Sequence, residues 1–157
     1  MNFYLPDIGL KVVLENTIIQ SLLSAGRKHL PKEYGGILIG RYDEERTTAY
    51  IVKSLEPKAF QNSTHSFVRK TQGLRGHLID LYNQKPSLFY LGEWHTHPGG
   101  VPQPSVTDVQ TLIQLAKSHE VKIKNPLMMI IGLTTRSSSI GLFVHYQNKI
   151  HKYELED

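Results

Sequence analysis

The 157-residue chain contains no cysteine. That absence removes a thiolate nucleophile, a four-cysteine zinc site, an iron–sulfur cluster, a thioredoxin-type redox pair and every disulfide. A chain of this length buries roughly two thirds of its unfolded surface on folding, so it needs no covalent staples. Long apolar runs are missing too. The longest, Leu127–Leu133, is far too short to span a membrane. Residues 1–7 carry no basic segment leading into an apolar one, so no secretory leader is expected and a cytoplasmic location is. Charge of one sign is in only slight excess, 18 Lys+Arg against 14 Asp+Glu, for a net +4. The densest basic cluster, Arg27-Lys28-His29, has no interleaved aromatics, and no nucleic-acid partner is expected.

No repeat, low-complexity tract or long linker divides the chain, which predicts one domain over residues 1–157. Residues 9–14 read as a strand. Asn16 is placed to cap a helix whose apolar face is Ile18, Ile19, Leu22 and Leu23, ending near Gly26. Residues 35–42 and 47–55, joined by a polar turn, predict a hairpin. Leu74, Leu78 and Leu81 predict a second helix within 71–83, and residues 88–96 a buried strand. Beyond a Gly/Pro-rich loop, Val109, Leu112, Ile113 and Ala116 mark a third helix. The end reads as strands near 127–134, 139–147 and 150–155, with Asn148-Lys149 as a tight turn. Helices mixed with adjacent strand pairs predict an α+β or mixed α/β domain.

The informative stretch is Gly92-Glu93-Trp94-His95-Thr96-His97-Pro98, followed by Ser105-Val106-Thr107-Asp108. Alternate strand residues share a face, so His95 and His97 can aim both imidazoles at one metal ion. Ser105 falls where a helix N-cap belongs, and Asp108 closes the first turn on the flank of the apolar stripe. Two neutral imidazoles and a carboxylate leave a fourth tetrahedral position open, as in a catalytic zinc site. Singly these residues are an ordinary strand pair and an ordinary cap. Jointly they would match by chance in roughly one chain per thousand, so it is the spacing that carries the reading. A hydrolytic zinc site also needs a base that is not a ligand, and Glu33 suits, just ahead of the glycine-flanked strand Gly35-Gly36-Ile37-Leu38-Ile39-Gly40.

Glu33 with GGILIG, then HTHP, Ser105 and Asp108, resembles the motif of the JAMM/MPN+ metalloproteases, and the element order matches over essentially the whole chain. The resemblance implies an α/β fold: a cytidine deaminase-like mixed β-sheet sandwiched by helices, with one Zn(2+) per chain. His95, His97 and Asp108 would be ligands, Glu33 the general base, and Ser105 a stabiliser of the oxyanion. The loop GEWHTHPGG-x-P-x-PS looks most like stand-alone bacterial JAB proteases, including those of cyclic-oligonucleotide antiphage systems. For such an enzyme the resemblance implies deubiquitinase-type cleavage after the extended C-terminal tail of a ubiquitin-like protein or a conjugated cGAS-like nucleotidyltransferase. Processing of a sulfur-carrier protein or a small peptide precursor is the alternative within the family. A non-catalytic MPN scaffold is a further one, although such members typically lack the ligand set present here.

Trp94 alternates with the histidines and reads as core packing. Glu93 shares their parity and can be read either as support for the site or as an exposed or cross-strand-paired carboxylate. His65 and Arg69 lie between the hairpin and the second helix, where relatives contact substrate, and are read as substrate-binding. His29, His77, His119, His145 and His151 lack metal-like spacing and read as surface or packing residues.

Overall fold

Strand side chains alternate between faces, and β3 (Gly35–Tyr42) shows what that does here. Leu38 faces one core, with Leu22 and Leu23 of α1 (Asn16–His29). Ile37 and Ile39 face a second, with Leu81 of α2 (Leu74–Asn83). Leu112 of α3 (Val106–Lys117) packs on that second side too, against Met128, Ile130 and Phe143. The sheet is thus covered by α1 on one face and by α2 and α3 on the other, in a computed structural model that describes residues 1–71 and 73–156.

Among the described residues the other strands are β1 (Asn2–Leu5), β2 (Leu10–Leu14), β4 (Thr48–Leu55), β5 (Phe60–Ser63), β6 (Ser66–Arg69), β7 (Phe89–Pro98), β8 (Leu127–Leu133), β9 (Ser138–Tyr146), β10 (Lys149–Lys152) and β11 (Glu154–Leu155). Eight of them join β3 in one nine-stranded mixed sheet, in the order β10-β9-β8-β7-β3-β4-β2-β1-β11, while β5 and β6 pair as a separate hairpin. β2 runs parallel to β4 and β7 parallel to β8; the other neighbours are antiparallel. The expected 35–55 hairpin is present as β3–β4, and the mixed sheet with helices on both faces agrees with the expected fold class.

Four details differ from the sequence reading. The cap of α1 is Glu15, not Asn16, because the Glu15 carbonyl already accepts from Ile18 and Ile19. The helix also runs past Gly26 to His29. Gly26 is a packing glycine rather than a stop: a Cβ there would lie 2.6 Å from Thr96 Cγ2 on β7. The last tight turn is Gln147-Asn148, both at positive φ (48° and 61°), one residue earlier than expected. Finally, the expected strand 150–155 is broken at Tyr153. β10 pairs with β9 at one edge of the sheet and β11 with β1 at the other. With one residue between them, the sheet must curl until its edges meet, and buried Tyr153 sits in the α1-side core. The second helix begins at Leu74; Gln72, inside the expected span, lies outside the described residues.

Candidate active site

β7 holds the histidines in place through its neighbours. It lies between β3 and β8, with Gly35 opposite His95, and any Cβ at Gly35 would collide with the Trp94 carbonyl and His95. Trp94 and Thr96 point toward α1, Trp94 buried with Nε1 donating to Ser54 Oγ at 2.8 Å. His95 and His97 take the opposite parity and face a cleft of about 650 Å³. Glu33, His65, Ser105 and Asp108 line the same cleft. One wall comes from the turn and strand at 64–68, the other from Thr107, Thr111 and Leu115 of α3, and Met128 lies deeper.

Asp108 arrives by a capping box. Ser105 Oγ accepts from Asp108 N–H at 3.2 Å, and Asp108 Oδ2 accepts from Ser105 N–H at 2.7 Å. This leaves Oδ1 at 3.2 Å from His95 Nε2 and Oδ2 at 3.5 Å from His97 Nε2. The two Nε2 atoms are 3.0 Å apart. A hydrogen bond between imidazoles uses one proton and one lone pair, whereas a shared cation satisfies both rings and the carboxylate together. Tetrahedral donors at 2.0–2.1 Å from an ion stand about 3.3 Å apart, which these spacings bracket. His97 Nδ1 donates to the Val101 carbonyl at 3.3 Å, which leaves the Nε2 lone pair facing inward. The donor set therefore fits a divalent ion such as zinc.

The charges follow from this packing. Burial pushes the Asp108 carboxyl up, but the bonds from His95, His97 and Ser105 outweigh it and hold Asp108 well below the usual carboxylate range. The bond to Asp108 raises the His97 imidazole. Burial raises the Glu33 carboxyl, with His95 and His97 pulling the other way.

Residues 15–141 match the family model described as prokaryotic homologs of the JAB domain. The chain belongs to that family. Two relatives carry the description CD-NTase/cGAS isopeptidase. One, from Enterobacter hormaechei subsp. hoffmannii (strain UCI 50), is 36% identical over 122 residues, 77% of this chain and 67% of the relative. The other, from Escherichia coli (strain TW11681), is 28% identical over 131 residues, 82% of this chain and 81% of the relative. The solution structure of a Desulfitobacterium hafniense protein superposes with a TM-score of 0.64 at 19% identity, covering 90% of this chain and 88% of that one, a likeness of fold.

In this JAB domain the residues singled out from the sequence fall into two groups. Glu33, His65, His95, His97, Ser105 and Asp108 meet in the cleft. Arg69 is engaged elsewhere: its Nε donates to Glu93 Oε1 at 2.9 Å, its Nη2 bonds the same oxygen, and the Tyr90 hydroxyl adds a third bond at 3.0 Å. Glu93 thus fits both readings open for it: it is paired, with Arg69, and it lines the same cleft. Reading along the chain misses Tyr34, Asn62 and Thr96. Tyr34 N–H donates to Thr96 Oγ1 at 2.9 Å and Thr96 N–H to the Tyr34 carbonyl at 2.7 Å, so the segment after Glu33 is laced to β7 between the two histidines. A threonine next to Trp94 on the α1-facing parity of the strand was the available signal.

Proposed function

We propose that this JAB domain is a zinc-dependent isopeptidase that releases the C-terminal tail of a CD-NTase/cGAS-type protein from an amine, within bacterial antiphage defence. The observation that carries the reading is the convergence of His95, His97 and Asp108 in a cleft that also holds Glu33. The descriptions of the two isopeptidase relatives support the substrate class.

His95, His97 and Asp108 would hold the ion. When bound, zinc supplies Lewis acidity, polarising a carbonyl and bringing the pKa of water to about 7. The chain's own residues do the rest. The cleft takes the tail extended between the 64–68 wall and α3, where His65 is assigned a contact with it. Glu33 removes a proton from the attacking water. As the carbon–nitrogen bond breaks it gives that proton to the leaving amine, and the raised pKa suits both transfers. Ser105 Oγ accepts from Asp108 N–H, which orients the hydroxyl, and its own proton serves the oxygen that gains charge. Arg69 supports the wall through Glu93.

The test joins such a tail to a reporter through a lysine isopeptide bond. Wild-type protein should cleave it, and Glu33→Gln should lose at least about 100-fold in rate while keeping one zinc per chain. Undiminished turnover in Glu33→Gln would remove Glu33 from the base role. Zinc bound without cleavage of any tail would favour a scaffold.

A further inference from the structure

Glu33 lies on no strand or helix, in the segment between α1 and β3, so its carboxylate is only as well placed as its backbone. Both of its backbone polar groups are held by the β5–β6 hairpin. Glu33 N–H donates to the Ser63 carbonyl at 2.8 Å, and Asn62 Nδ2 donates to the Glu33 carbonyl at 2.8 Å. Phe60 and Phe67 of the hairpin pack edge-on against the Tyr34 ring, with centroids 5.2 and 5.7 Å away. The end of β6 is pinned to β7 by Arg69 on Glu93. The same hairpin supplies Thr64–Val68 to the wall of the cleft. One small two-stranded piece therefore walls the cleft and grips the backbone of Glu33.

We propose that Asn62 is a positioning residue for Glu33, fixing where its carboxylate sits against His95 and His97 and tying that position to the cleft wall. The inference rests on the reading of Glu33 as the base. Proton transfer needs heavy atoms within about 2.6–3.2 Å, and a misplacement of about 1 Å can cost about 100-fold. The side-chain amide is the right group: it donates to a carbonyl, whereas a carboxylate of the same size would set acceptor against acceptor.

The experiment uses the full chain carrying Asn62→Ala or Asn62→Asp. The second retains the size of the side chain, so both should fold and act alike. The Glu33 carbonyl 13C resonance, read by NMR on the metal-free protein, should move upfield as that carbonyl loses its donor, while the Tyr34 and His95 amides keep their exchange protection. Zinc content should stay at one per chain. On the reporter substrate kcat should fall about 10- to 100-fold with KM within about twofold. An unmoved Glu33 carbonyl resonance, or an unchanged kcat, overturns the proposal; so does a rise in KM alone, which would make Asn62 a part of the wall only. If the wild-type protein cleaves no tail, that failure belongs to the proposed activity. The Glu33 carbonyl resonance then decides by itself whether Asn62 holds Glu33.

Discussion

Asp108 does two jobs with one carboxylate. It accepts the Ser105 N–H that the first turn of α3 leaves without a helical partner, and it faces both imidazoles. The cap orients the would-be ligand, and the same box orients Ser105. Ser105→Ala separates these roles. Removing the side-chain acceptor for Asp108 N–H should cost about 1 kcal/mol of stability, read from the denaturant midpoint. Cleavage should fall about 100- to 1000-fold, the cost of losing one oxyanion donor, with zinc retained. A variant with the stability loss and full activity would leave Ser105 as a cap alone.

At the scale of elements, the β3–β4 turn shows a carboxylate serving structure only. Asp43 accepts from the backbone of Thr48 and from the backbone and hydroxyl of Thr47, and those bonds lower its pKa below the ordinary 3.8. A depressed folded-state pKa means that the unfolded chain takes up the proton first as pH falls. The stability these bonds give is therefore full above about pH 4 and disappears as pH drops through the folded value. Asp43→Ala should melt below wild type at pH 7, and the gap should narrow at pH 2–3; an equal gap at both would mean that the charge plays no part.

This turn was legible because a polar run separates two apolar, β-branched stretches, and α3 because Ser105 and Asp108 announce its cap. The β5–β6 hairpin was not legible. Its strands are half exposed and its turn, Thr64-His65, has neither glycine nor asparagine to mark it. The end of α1 was misread because Gly26 looks the same as a stop and as a close contact until Thr96 is beside it. The spacing of His95, His97, Ser105 and Asp108 could be read locally. The grip on Glu33 could not, since it depends on a hairpin that begins 27 residues further along the chain.

Across the whole molecule, the sheet ends on two short strands. β10 and β11 occupy opposite edges of one curled sheet and are joined through buried Tyr153. The cleft opens on the other face, at the end of β7, where α3 and the β5–β6 hairpin meet it from either side. None of the helices among the described residues is long and apolar enough to cross a membrane. The absence of cysteine limits the proposed chemistry: a metal here would draw on nitrogen and oxygen donors, and no cysteine thiolate is present to attack. The most direct test strips the protein of metal and adds zinc back in steps while cleavage of the isopeptide-linked reporter is followed. Cleavage should be absent at first, rise with zinc and level off at one equivalent per chain, and His97→Ala should stay inactive at that equivalence. Full cleavage by the stripped protein, or none at any zinc level, would contradict the account.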